Sequence, residues 1–321
     1  VDFEKKNFNH PHAHNLISFF NELQASTRDT DLAIQYQDEA IPGKIIKRYD
    51  TSSDFKIDFK VINDTISIAN AVIDRLEQDE NVISMVCGSG MNVGLSEGFN
   101  CATKSFNKLT NTEAGHKDIS EDSDLVTTLD KEVFEAGFIE ELSPDKLFTG
   151  GGTDREINNS AQARLDYLKD LIKQNKESDV RRRIAELYQD YTESGIDLEK
   201  AVNSQILESG DNFDSVQIEK AAKAGDDLAK LLLLDLSTRL GRFVNKTFSN
   251  LVRDEKTKKL VMTGSHIEGI LSIDQNKKAF IKELNKDRKA QNLELVYLGK
   301  NKLDGLKDWI LNKAASLRAQ A

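Results

Sequence analysis

The sequence predicts an α/β fold, and three observations carry that prediction. Val82-Ile83-Ser84-Met85-Val86-Cys87 is a short apolar run with the length of a fully buried strand. Two long stretches, 160–191 and 226–251, place apolar residues at helical spacing. Two more strand-like runs, Leu260-Val261-Met262 and 293–298, follow them with a further helix between. Strands interleaved with long helices define the class.

Taken in order, residues 13–24 predict a helix through Leu16, Phe19, Phe20 and Leu23. Asp31 to Tyr36 reads as a strand, Pro42-Gly43 as a turn, and the segment through Ile45 and Ile46 as a second strand. Phe55, Ile57, Phe59 and Val61 alternate with polar residues, the period of a third. Ile66, Ala69, Val72, Ile73 and Leu76 then predict a helix, with Asp64 or Thr65 suited to cap its start. The turn Gly88-Ser89-Gly90 and the alternation at Val93 and Leu95 predict that strand 82–87 doubles back as a hairpin. Leu165, Leu168, Ile172, Val180, Ile184, Leu187 and Tyr191 mark the helical stretch 160–191. Leu228, Leu232, Leu236, Leu240, Phe243 and Val244 form the inward stripe of 226–251. Phe280 and Leu284 lie on the helix between the late strands, and Trp309, Ile310 and Leu317 on a terminal one. No internal repeat or low-complexity segment is present.

Length allows one large domain or two ordinary ones among the 321 residues. The longest apolar stripe, from Leu231, is broken by Asp235, Arg239 and Arg242, so no run approaches the roughly 18 residues of a spanning helix. No charged-then-apolar leader opens the chain, which starts at Val1, as a processed product or a fragment would. A soluble protein without a membrane partner is expected. The net charge of −10 argues against a nucleic-acid partner, and Arg181-Arg182-Arg183 reads as a solvated helix face. Two cysteines build no disulfide framework. Cys87 reads as a small core residue, and a cytoplasmic, reducing location fits. His10, His12 and His14 have no carboxylate or thiolate nearby and read as exposed residues, so no metal site is assigned.

Two features carry chemistry. Transfer of a γ-phosphoryl group to an alcohol needs a base for the hydroxyl proton and donors for the phosphates. Asp64, at a helix start, is placed where the positive end of the dipole keeps a carboxylate ionised, although a plain helix cap has the same signature. Gly88-Ser89-Gly90 lets backbone N–H groups approach phosphate oxygens with no Cβ in the way, although an ordinary hairpin turn has that signature too. It lacks the Lys-Ser/Thr of a P-loop, and Val93 stands where a dinucleotide fingerprint needs its third glycine.

In order along the chain, Ile62-Asn63-Asp64-Thr65, Gly88-Ser89-Gly90-Met91-Asn92 and Asn111-Thr112-Glu113-Ala114-Gly115 resemble the V-N-D-T, G-T-G-x-N and N-T-E-x-G segments of the hexokinase and glucokinase branch of the actin-like sugar kinases. Looser matches are Thr128-Leu129-Asp130-Lys131-Glu132, Ala222-Lys223-Ala224-Gly225-Asp226-Asp227 and Met262-Thr263-Gly264-Ser265. The resemblance implies a two-domain actin-like ATPase (ribonuclease H-like) sugar kinase fold. Residues 1–62 would be the remainder of the small domain. Residues 63–321 would form the large domain with the catalytic acid, phosphate turn and adenosine-side strands. It further implies Asp64 as catalytic base and Asn63, Asn92 and Glu113 as hydrogen-bond partners of sugar hydroxyls. Gly88, Ser89 and Gly90 would line the nucleotide phosphates, and Gly264 and Ser265 would lie near adenosine. ATP and Mg²⁺ are the implied cofactors, the metal held chiefly by phosphates, with a small-molecule sugar as partner and an oligomer left open.

The resemblance has gaps. The D-x-G-G-T phosphate hairpin that opens the family is not found, so its N-terminal part is expected to be incomplete. Tyr36-Gln37-Asp38 stands where the family has S-F-P, and no Thr-Lys pair occurs near Lys47 to Thr51. A second sugar-binding glutamate would fall near Thr149, and Gly150-Gly151-Gly152 reads as a flexible loop. Two functions follow: ATP-dependent phosphorylation of a hexose-type hydroxyl, or a noncatalytic hexokinase-like protein that binds sugar or nucleotide and regulates a partner.

Overall fold

The computed structural model describes residues 33–38, 44–48, 56–61, 68–88, 90–149 and 160–298. The chain divides into two units, residues 1–64 with 304–321 and residues 65–303. In the first, β1 (Ala33–Asp38), β2 (Lys44–Arg48) and β3 (Lys56–Val61) form a sheet in the order β2-β1-β3. β1 runs antiparallel to β2, and parallel to β3 with Ala33 opposite Lys56. The three expected strands are therefore present, the first reaching Asp38, two residues beyond the end its pattern predicts. The expected helices at 13–24 and around Trp309, the Pro42-Gly43 turn, the histidines at 10, 12 and 14 and the glycine run at 150–152 lie outside the described residues.

The second unit is built on β4 (Asn81–Cys87), the buried run of the sequence. It returns through β5 (Met91–Asn100) and β6 (Ser105–Asn111), and is later flanked by β7 (Thr257–Thr263) and β8 (Glu294–Leu298). The order is β6-β5-β4-β7-β8, with the first three strands antiparallel and β4, β7 and β8 parallel. Numbered within this unit the order is 3-2-1-4-5, the mixed sheet of a ribonuclease H-like domain. The α/β class holds.

Side chains alternate across the sheet as the period of two demands. Ile83, Met85 and Cys87 join the large core on the helical side. Val82 joins Phe99, Val261 and Val296 in a smaller core on the other. That smaller core is closed by Ile68, Ala69, Val72 and Leu76. The segment that carries them is helical as its spacing predicts, but not regularly so: Ile68 and Ala69 are α-helical and Asn70–Arg75 tightens into a 3-10 helix. Its expected cap, Asp64 or Thr65, lies outside the described residues.

The helical layer comprises α1 (Thr128–Glu135), α2 (Pro144–Phe148), α3 (Ser160–Lys173), α4 (Glu177–Tyr188), α5 (Leu198–Val202), α6 (Gln205–Glu208) and α7 (Ser215–Ala224). It continues with α8 (Asp227–Thr247), α9 (Ser249–Arg253), α10 (Ser265–Leu271) and α11 (Asp274–Leu284). The stretch 160–191 is two helices and a 3-10 tail. Asn175 takes a left-handed φ of 57°, and the Lys176 N–H returns to the Leu171 carbonyl at 2.9 Å, a C-terminal stop that asparagine tolerates. Arg181 and Arg182 are exposed, as expected of a solvated face. Arg183 is not: it is largely covered, pairing with Glu132 on α1 and Glu186 on its own helix.

α8 is buried on nearly all sides, and its polar breaks are buried too. Arg164 of α3 forks onto both oxygens of Asp130 on α1, at 2.8 Å each, and reaches Asp235 of α8 at 2.6 Å. Arg239 binds Asp235 at 2.8 Å, Asp130 at 2.8 Å and the Leu125 carbonyl at 2.7 Å. Tyr191 donates to the other oxygen of Asp235 at 3.0 Å. No member of the two pairs is more than 3% exposed. Burial alone would raise the Asp130 carboxyl, but Arg164 and Arg239 together hold it well below the usual carboxylate range. Asp235 is held down by the same balance. Asp235→Ala would leave two buried guanidiniums facing one carboxylate, and a loss of about 3–5 kcal/mol is expected. Urea denaturation followed by far-ultraviolet circular dichroism reads it as a fall in midpoint; an unchanged midpoint would mean the network is idle.

Candidate functional site

β4 and β5 meet at Cys87, the partner of Met91, and the three residues between them make the turn. The Gly88 N–H closes it on the Gly90 carbonyl at 3.0 Å. Neither glycine is demanded by packing, because a Cβ on either would meet nothing within 4 Å among the described residues. At Gly88 and Gly90 the turn therefore has room for side chains that it does not carry, among the described residues. Ser89, its central residue, lies outside the described residues, as do Asn63 and Asp64.

Gly264 is a glycine of the opposite kind. It follows β7 with φ 123°, and a Cβ there would lie 2.1 Å from the Cys87 carbonyl oxygen. The end of β7 is thereby pressed onto the end of β4, which brings Gly264 beside Gly88. Tyr297 of β8 supports the contact, its hydroxyl 2.9 Å from the Gly264 carbonyl and 3.0 Å from Glu268 Oε2. Partial burial, then the carboxylate of Glu268, push its phenol up. Ser265 opens α10 and is exposed. Cys87, beneath the turn, is fully buried and gives its thiol to the Phe148 carbonyl at 3.2 Å. Burial, then the charge of Asp145, push that thiol up to about 12.

Asn92 and Glu113 are joined through Asn111. Asn92 Nδ2 donates to Asn111 Oδ1 at 2.7 Å, and Asn111 Nδ2 donates to the Glu113 carboxylate. Asn92 Oδ1 accepts the Val93 N–H at 2.8 Å. Thr112 holds β6 to β5, its hydroxyl donating to the Val93 carbonyl at 2.6 Å. Glu113 itself is exposed, with φ 47°. This conformation turns the chain into the single 3-10 turn Ala114–His116.

Two residues without a sequence-predicted role complete the cluster. Asp145 of α2 accepts the Met91 N–H at 2.6 Å, and its second oxygen lies 3.3 Å from His116 Nδ1. Burial raises its carboxyl, against the pull of that N–H and of His116. Gly115 is what lets them meet, since a Cβ there would lie 1.9 Å from the Met91 carbonyl and 2.4 Å from Asp145 Oδ1. In the sequence, Asp145 lies just before Thr149, the position at which the resemblance would place a second sugar-binding glutamate. Thr149 is buried, its hydroxyl turned back to the Asp145 carbonyl, so it offers nothing to a ligand. Gly88, Gly90, Asn92, Glu113 and Gly264 therefore stand around one end of the sheet, the end at which β4 finishes. Among the described residues, no three metal-binding side chains gather, and no helix is long and apolar enough to cross a membrane.

No protein-family model and no curated protein matches the sequence. Solved structures do resemble the chain. A glucokinase from an Antarctic psychrotroph is 16% identical over 75% of this chain and 64% of its own, at a TM-score of 0.44. A ROK-family glucokinase from Streptomyces griseus, solved with glucose and AMPPNP, is 18% identical over 74% and 62%, at 0.38. A glucokinase from Balamuthia mandrillaris, solved with glucose, is 13% identical over 90% and 80%, at 0.48. The chain spans less than two thirds of the length of the first two. At these scores the likeness carries no weight on its own, and roles must come from the residues.

The two kinds of glycine separate in their expected cost. Gly264→Ala and Gly115→Ala force backbone or carboxylate to move and should each destabilise by about 1–3 kcal/mol, while Gly88→Ala should stay within about 0.5 kcal/mol of wild type. Chemical denaturation of the three variants gives the ranking directly. A thiol reagent in excess should modify one of the two cysteines in the native state, the exposed Cys101, and reach Cys87 only after unfolding.

Proposed function

We propose that the chain is an ATP-dependent sugar kinase, or the larger part of one, phosphorylating a hydroxyl of a hexose-type substrate. The observation that carries this reading is the meeting, at one end of a ribonuclease H-like sheet, of a glycine turn that packing does not require and the Asn92–Asn111–Glu113 relay. Glycines kept where a side chain would fit leave amides bare for phosphate oxygens. A carboxylate and two carboxamides in one hydrogen-bonded string offer both donors and acceptors, as a sugar hydroxyl requires.

In this reading Gly88, Ser89 and Gly90 line the nucleotide phosphates, and Gly264 and Ser265 lie on the adenosine side. Asn63, Asn92 and Glu113 hold the sugar, and Asp64 takes the proton from the attacking hydroxyl. Mg²⁺ would be held chiefly by the nucleotide phosphates, whose charge it would neutralise; among the described residues no three metal-binding side chains gather. The division at residues 62 and 63 belongs to the same proposal, as does a soluble, cytoplasmic setting.

One observation favours the noncatalytic reading, in which the chain binds sugar or nucleotide and regulates a partner. The Gly88 N–H is spent on the Gly90 carbonyl, which leaves one donor fewer at the turn.

Coupled detection of ADP with Mg-ATP and a panel of hexoses and N-acetylhexosamines separates the two. A kinase shows sugar-dependent turnover that Asp64→Ala lowers by about 100-fold to 10,000-fold, the usual contribution of a general base. Absence of turnover, with ATP or a sugar still raising the melting temperature, would replace the kinase by the binding protein.

A further inference from the structure

Beyond Glu113 the chain runs through Gly115 to His116 and into a loop that borders a cleft of about 350 Å³. The loop contributes His116, Asp118 and Ser120 to its walls. The end of α1 and the segment leading to α2 contribute Phe134, Glu140 and Glu141 among others. The volume falls in the range of roughly 300–1,000 Å³ typical of small-molecule sites.

The lining has a definite chemistry. Three of its residues are carboxylates and none is lysine or arginine, which argues against a phosphate or any other anion. Backbone and side-chain hydrogen bonds from Ser120 hold the Asp118 carboxyl below its ordinary value, so it is ionised. Glu140 is partly matched by Lys146 at 3.1 Å, and Glu141 accepts from the Ser143 hydroxyl at 2.7 Å. Against these polar walls stands Phe134, 41% exposed. It is the aromatic one among the three large apolar side chains so exposed in the described residues. α1, which presents it, is fixed by the capping box between Thr127 and Asp130 and by the buried pairs of Asp130.

An aromatic face with carboxylates around it suits a neutral polyhydroxylated ring. The ring's C–H face lies on the negative face of the phenyl, and its hydroxyls donate to charged acceptors, the stronger kind of hydrogen bond. We propose that this cleft is a subsite for a second saccharide ring, its wall beginning at His116, three residues beyond Glu113 and 3.3 Å from Asp145. It rests on the sugar reading of the Asn92–Glu113 site and extends it: the preferred ligand is a disaccharide-sized saccharide, with the outer ring stacked on Phe134.

Isothermal titration of the full chain with glucose, maltose, cellobiose and trehalose tests this, beside Phe134→Ala and Glu141→Gln. At least one disaccharide should bind tenfold or more tightly than glucose. Phe134→Ala should remove that advantage while leaving glucose affinity within twofold, and Glu141→Gln should reduce it in part. Phe134 is exposed, so an unchanged melting temperature will show that the variant folds. Glucose binding with no advantage for any disaccharide would overturn the subsite and leave the sugar site standing. So would an equal loss for both sugar sizes in Phe134→Ala. Binding of none of the four sugars would overturn the sugar reading itself, and the subsite with it.

Discussion

Two arginines and two aspartates, buried together without solvent, are the constraint on which the helical layer depends. Bringing four charges out of water is costly, and their attraction compensates only where the ion-pair geometry is close and well aligned. That requirement fixes distances between elements far apart in sequence. Asp130 lies 34 residues before Arg164 and 109 before Arg239, and Asp235 lies 71 after Arg164. Apolar contacts among α1, α3 and α8 would tolerate a shift along their axes. The forked contacts of Arg164 do not. The network also takes the Leu125 carbonyl, so it reaches the loop that follows Glu113 and His116.

From there the interior is continuous with the candidate site. The Arg239 guanidinium lies over the Phe148 ring, 5.7 Å from its centre, and the Phe148 carbonyl receives the Cys87 thiol. The carbonyl of Cys87 is the atom against which Gly264 is pressed. A path of packed groups therefore joins the buried charges to the turn at 88–90. It explains why the turn is well placed although packing among the described residues does not demand its two outer glycines: the strands on either side are fixed from below.

How much of this was legible in the sequence depended on range. The hairpin at Gly88-Ser89-Gly90 was legible because an apolar run and a glycine turn are local signals, and strands β7 and β8 because their runs are short and apolar. The stop at Asn175 was not, since a single asparagine in a helical pattern is ordinary and only its backbone conformation makes it a terminus. Asp235 and Arg239 read as breaks in an apolar stripe; nothing nearby in sequence announces that Asp130 and Arg164 satisfy them. Arg183 misled for the same reason, its partner Glu132 being 51 residues away. In the site, Asn92 and Glu113 follow from motif order, whereas Asp145 stands at a position of its segment where no ligand role is implied, and its contact with Met91 needs the room that Gly115 leaves.

The polar groups of the site are occupied before any ligand arrives. Gly88 is bonded to Gly90, Asn92 to Asn111, Asn111 to Glu113, and Asp145 to Met91. A ligand hydroxyl that joins this string exchanges one hydrogen bond for another, a net gain of about 0.5–1.5 kcal/mol each. Tight binding from such contacts alone is not to be expected. What they provide is geometry: each side chain is already oriented by its neighbour, so little conformational freedom is lost on binding. A hydroxyl in the wrong position breaks a bond without replacing it. If the string holds a sugar as proposed, it would select among ligands more than hold them, and affinity would come from surface buried beyond it.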